Sequence, residues 1–200
     1  MGNTPNNNFP YPETTGLVKD GWEDIKDLAT SIDTKLGVYV ASSPGLVKIN
    51  STAFSAVSSQ AFDSVFSATY DNYFVTVTMT TATSPTLTMV MRTSAVDNTT
   101  SNYYFQRLEV SNTAVTGTRT TTGTSWAIDT QTDTPKSFIM EILNPFTSTT
   151  QTFLKNFANP GAYWQLGGAK FNANTSFDGF KIICSAGTMT GTAKIYGLAN

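Results

Sequence analysis

The chain has 200 residues, no histidine, and a formal net charge of -2 from 12 Lys and Arg against 14 Asp and Glu. That length suits one sizeable β domain with an appendage rather than two ordinary cores, and the charge balance offers no broad basic surface for a nucleic-acid backbone or an anionic membrane. The missing imidazole removes the Ser-His-Asp triad, His general bases and imidazole metal sites together.

Thr (35), Ser (18) and Asn (15) make up a third of the residues while 13% are charged, the composition of exposed strands and turns. A lone Cys184 excludes an internal disulfide and a thiolate zinc cluster. It alternates with Phe180 and Ile182 and so reads as a buried small hydrophobe. No basic and apolar leader opens the sequence, and no run reaches the roughly 18 apolar residues of a membrane span. The expectation is a soluble, unexported chain with no membrane insertion.

Residues 1–15 are rich in Asn and Pro and have no period, so they predict an extended arm that orders only against something else. Eight of the 17 residues from Lys19 to Lys35 are charged, against 17 of the 165 from Leu36 onward, which places a boundary near Gly37. Between Gly16 and Gly37 the signals are helical. Asp20 followed by Glu23 is a capping-box variant, acids crowd the first turn, and Gly37 can close the end in the left-handed conformation.

Val18, Trp22, Ile25, Ala29, Ile32 and Leu36 recur in steps of four and three, the a/d spacing of a coiled coil, and Leu28 widens the stripe. A single amphipathic helix lying on its own domain fits the same stripe. Association with sister chains is favoured because so short a helix is marginal alone in water. The domains read as 1–37, arm and oligomerising helix, and 38–200, a β domain.

From Val38 the period changes to two. Tyr73, Val75, Val77 and Met79 alternate with Phe74, Thr76, Thr78 and Thr80, and similar patterns predict strands at 86–92, 103–110, 137–143, 152–155, 163–166, 179–184 and 192–198. Gly167-Gly168 reads as a strand break or bulge. Strands with one apolar and one hydroxyl-rich face need two packed sheets. The predicted fold is mainly β: an antiparallel, jelly-roll-like β-sandwich with an N-terminal extended arm and one short coiled-coil helix.

Sugar rings stack on exposed aromatics set among polar loops, which makes Trp126, Tyr163 and Trp164 candidate glycan contacts; a core or intersubunit aromatic is the competing reading for each. Tyr103, Tyr104 and Phe105, adjacent in a strand, read as packing residues. A carboxylate enzyme would need a pair of acids. Asp71 and Asp178 suit turns, and Glu109 and Glu141 take outward strand positions. Asp129 and Asp133 could share a loop with a hard cation, but two carboxylates make a weak site. No metal, no cofactor and no catalytic residue are expected.

The runs Pro12-Glu13-Thr14-Thr15-Gly16-Leu17-Val18-Lys19-Asp20-Gly21, Ile25-Lys26-Asp27-Leu28-Ala29 and Ile32-Asp33-Thr34 resemble the opening of many tailed-bacteriophage virion proteins. Ser67–Tyr73, Thr175–Phe180 and Gly187–Gly197 are similar to the β domain of phage minor tail and fibre proteins, whereas the middle, 79–171, matches nothing. The resemblance implies a homotrimeric virion structural protein of the tail-fibre, baseplate or receptor-binding-knob type, assembled in the host cytoplasm. It would attach to other virion proteins through the arm and meet a host surface glycan. A head fibre or decoration protein without receptor activity is the alternative, and a polysaccharide depolymerase a lesser one.

Overall fold

The computed structural model describes residues 2–3, 10–11, 21–42, 45–83, 85–111, 113–130, 135–158 and 163–199. Val18, Asp20, Asp133 and most of the arm, with the expectations placed on them, lie outside these residues. The chain forms two compact units that part between Pro44 and Gly45. Among the described residues no helix is long and apolar enough to cross a membrane.

In the first unit β1 (Gly2–Asn3) and β2 (Pro10–Tyr11) pair antiparallel, and β2 runs beside α1 (Gly21–Ser42). Glu23 and Asp24 occupy the first turn of α1, where the exposed amides and the helix dipole favour negative charge. The helix does not end at Gly37 but continues five residues further. A glycine inside a helix costs only about 1 kcal/mol, and α1 ends ahead of Pro44, which has no amide hydrogen to give.

The second unit holds β3 (Gly45–Val57), β4 (Ser59–Phe62), β5 (Asn72–Thr81), β6 (Leu87–Thr93), β7 (Val96–Asp97), β8 (Tyr103–Ser111), β9 (Ala114–Gly123), β10 (Trp126–Asp129), β11 (Lys136–Leu143), β12 (Phe153–Ala158), β13 (Tyr163–Phe171), β14 (Gly179–Cys184) and β15 (Met189–Ala199). One sheet has the order β3-β15-β5-β11-β12-β13-β8-β9, the other β10-β6-β14-β4 with β7 on β6. The fold is mainly antiparallel β, two sheets over one core as in a β-sandwich.

The core follows from the alternation. Tyr73, Val75, Val77 and Met79 of β5 are buried, as are Phe138, Met140 and Ile142 of β11, and they share a cluster with Leu87, Met89 and Met91 of β6 and Phe180, Ile182 and Cys184 of β14. Aromatic rings bridge the sheets. Tyr103 of β8 meets Trp126 of β10 edge-on with centroids 5.1 Å apart, and Phe171 lies 5.0 Å from Tyr103.

A polar seam also joins the sheets. Lys136 Nζ of β11 lies 2.8 Å from Asp129 Oδ2 of β10, both side chains fully buried. Asn156 Nδ2 of β12 donates to the Ile128 carbonyl at 2.8 Å. Buried polar groups so paired fix which strand faces which.

Candidate functional site

The inner face of the large sheet is occupied by packing, so its outer face is where a partner or ligand can be met. Register puts Ile139, Phe157, Leu166 and Leu108 opposite one another across β11, β12, β13 and β8. Beside that row stand Trp164, Val110 and Val115 on β13, β8 and β9. Apart from Phe157, which is half-buried, all of these are exposed. These side chains form one contiguous apolar row rather than singly scattered surface hydrophobics.

On the other side of the row the side-chain lattice has a gap. Lys155, Gly168 and Gln106 stand opposite one another on β12, β13 and β8, with Arg119 next on β9; Phe153, Lys170 and Tyr104 form the row beyond. Gly168 contributes nothing where each neighbour contributes a side chain, and a groove of about 430 Å³ opens there. Phe153 and Tyr104 flank it from strands two spacings apart, roughly 9.5 Å.

Lys170 Nζ sits 5.4 Å from the centre of the Tyr104 ring and 3.4 Å from Gln151 Oε1. Lys155 pairs with Glu141 at 3.0 Å. Arg119 has no carboxylate partner among the described residues.

The adjacent glycines, read in the sequence as a break, lie inside a continuous strand paired on both sides. They are glycine for different reasons. A Cβ on Gly167, which points inward, would stand 2.1 Å from Asn156 Oδ1, in the space of the side chain that reaches Ile128. A Cβ on Gly168 would meet nothing within 4 Å.

The candidate glycan contacts separate. Trp126 is wholly buried, and its indole Nε1 donates to the Lys170 carbonyl at 3.3 Å. It is a core aromatic and cannot touch a ligand. The side chain of Tyr163 lies outside the described residues. Trp164 is 58% exposed, edge-on to Phe157 at 5.8 Å. Tyr104, expected only to pack, lies on the outer face at the groove. Gly168 reads in the sequence only as part of a break or bulge, and Phe153 and Arg119 carry no signal there; a glycine inside a strand pattern, which can mark close approach of a ligand, is the one available clue.

Of the acids noted in the sequence, Asp129, Asp178 and Glu109 hold structural partners. Asp129 faces Lys136, and Asp133 lies outside the described residues. Asp178 Oδ2 accepts from the Ser94 amide at 2.8 Å, and the Asp178 carbonyl accepts from Val65 and Phe66. Glu141 is exposed on the outer face, as expected, but Glu109 faces inward. Alternation from buried Tyr103 puts Phe105, Arg107 and Glu109 on that same side.

Glu109 Oε1 accepts from Thr130 Oγ1 at 2.5 Å, Arg107 Nε at 2.8 Å and buried Gln165 Nε2 at 2.9 Å. Burial pushes this carboxyl up, but the Thr130 hydroxyl, the Arg107 charge and the Gln165 amide outweigh it and hold Glu109 below its ordinary value. Among the described residues no cluster of three or more Cys, Asp and Glu could hold a metal ion.

On the first unit the predicted stripe is open. Trp22 is 63%, Ile25 67% and Ile32 45% exposed, Ala29 is exposed and Leu28 half-buried. Val18 and the side chain of Leu36 lie outside the described residues.

Fold and surface thus define a two-sheet antiparallel β protein with an apolar outer face and a groove beside it. No protein-family model and no curated protein matches the chain. Among solved structures it is similar to a protein of unknown function from Shewanella oneidensis MR-1, at 12% identity over 78% of each chain with a TM-score of 0.26, too low for the likeness to say anything about this chain.

Proposed function

We propose that the chain is a structural protein of a bacteriophage virion, a homotrimer whose arm and helix attach it to the particle while the β unit serves as a tail-fibre, baseplate or receptor-binding knob in host adhesion. The observation that carries the reading is the exposed stripe on α1. Trp22, Ile25 and Ile32 follow the seam spacing yet remain largely open in the single chain, and each such side chain gains roughly 1.5–3 kcal/mol when fully buried. Sister helices in a short coiled coil supply that cover.

The strand order supports a jelly roll. Taken in sequence as eight strands, β3, β4, β5, β6, β10, β11, β14 and β15 run first-eighth-third-sixth in the large sheet and second-seventh-fourth-fifth in the small one, the interleaving of two Greek keys. The four remaining strands of the large sheet, β8, β9, β12 and β13, extend it beyond that frame. The reading is non-enzymatic, and the commitment of Asp129 and Glu109 to Lys136, Arg107, Thr130 and Gln165 supports it.

Light scattering on the purified full chain tests the assembly: the expected mass is three times 21.6 kDa, and a persistent monomer at tens of micromolar sinks it. Mass spectrometry of purified particles tests the location, since a virion protein must be present in them.

A further inference from the structure

We infer that the groove over Gly168 binds a carboxylated sugar, a hexuronate unit of an acidic polysaccharide, with Tyr104 and Phe153 against the ring and Arg119 and Lys170 on the carboxylate. The starting point is a glycine with no structural task. Gly168 has open space where its Cβ would be and lies in regular paired strand. Glycine inside a strand costs about 0.5–1 kcal/mol relative to alanine. Its neighbour Gly167 is required by Asn156; Gly168 is required only by whatever enters the groove.

The walls specify the chemistry. Aromatic faces take the apolar C–H faces of a sugar ring, and the Gln106 amide is placed for its hydroxyls. Arg92, Arg107, Lys136, Lys155 and Lys181 are ion-paired. Arg119 and Lys170, like Lys48 and Lys194, have no carboxylate partner among the described residues, and what sets Arg119 and Lys170 apart is that both line this one groove. In a chain of net charge -2 that is a local positive site, and a planar guanidinium matches a carboxylate in two-pronged fashion.

Shape favours a ring over an extended acidic peptide. Along β13 the gap is one residue long, since the next outward positions on either side, Leu166 and Lys170, both carry side chains. Tyr104, Gln106, Arg119, Phe153, Gly168 and Lys170 all stand on the four strands that lie outside the eight-strand frame. A scaffold with its site carried on added elements is the common arrangement of function on a fold.

This inference deepens the adhesive reading, and the two fail separately: light scattering reports the trimer, whereas ligand titration reports only the groove. The full chain is titrated calorimetrically with tetragalacturonate, tetramannuronate, maltotetraose and tetraglutamate. At least one uronate is expected to bind, with maltotetraose and tetraglutamate at least about tenfold weaker.

Gly168→Val should abolish binding while the melting temperature stays equal or rises. Arg119→Gln should weaken binding about tenfold; should the valine variant fail to fold, this exposed substitution decides alone. Binding by neither uronate, equal binding of the neutral sugar or the peptide, or wild-type affinity in either variant overturns the proposal.

Discussion

Asp129→Ala should be among the most damaging single replacements in the β unit. Lys136 Nζ and Asp129 Oδ2 are 2.8 Å apart with both side chains at zero exposure. At an effective dielectric constant near 20 their attraction is about 6 kcal/mol, opposed by several kcal/mol of desolvation for each ion, so the intact pair nets little. Removing the carboxylate leaves the ammonium desolvated without that compensation, and the expected loss is about 3–5 kcal/mol. For a chain of this size that lowers the melting temperature by about 6–20 °C.

Urea unfolding followed by fluorescence suits the test, because buried Trp126 begins the same strand, β10. The double variant Asp129→Leu with Lys136→Met should recover most of the loss, since an apolar pair of similar volume replaces the ions. Single replacements costing under about 1 kcal/mol, or a double variant that loses the sum of the two, would refute the pairing. So would a calcium-dependent rise in the wild-type midpoint, which would return Asp129 to the role of cation ligand.

Gly167→Ala should cost about 1–3 kcal/mol by displacing Asn156 from the Ile128 carbonyl, whereas Gly168→Ala should be neutral or stabilising; denaturant midpoints compare the two. Replacing Trp22 and Ile25 together by Glu should turn a trimer into a monomer without changing the melting of the β unit, as read by sedimentation and calorimetry. Burial raises the phenols of Tyr103 and Tyr73 above the ordinary 10.0, so the stability they contribute is complete below pH 10 and falls as pH rises through their folded values. Unfolding midpoints should therefore decline above about pH 10, and Tyr103→Phe should flatten that decline. Glu109, held below 4.5, contributes stability above pH 4.5 that is lost as pH falls through its folded value; Glu109→Gln should shrink the acid loss in the same measurement.

How much was legible depended on whether one face of a strand was apolar. β5 and β14 alternate cleanly, and their ends were readable to within a residue. β3 and β9 leave no period in the sequence because both faces are largely exposed and rich in Ser, Thr and Ala. β10 is hidden among threonines, and nothing local to Trp126 says that Tyr103, distant in sequence, packs edge-on against it.

Alternation counted from Tyr103, six residues along one strand, already turns Glu109 inward, against the outward position expected for it. The groove was not readable, because it exists only once β12, β13, β8 and β9 are placed side by side in register. Trp164 kept its candidate status because β13 turns that residue away from the core, a matter of register that composition does not reveal.

The same register argument separates what the large sheet does for stability from what it offers to a partner. Inward polar and glycine positions of β12 and β13 answer to a neighbour: Asn156 to Ile128, Gln165 to Glu109 and Thr130, Gly167 to Asn156. Outward, Leu166 and Trp164 stand in water and Gly168 faces empty space. Folding alone would place threonine or another β-branched residue at such outward positions, as it does at Thr76 and Thr78 of β5. Exposed Trp and Leu beside a vacant glycine are locally unfavourable choices, and such departures from folding logic are expected where a surface is made to be covered.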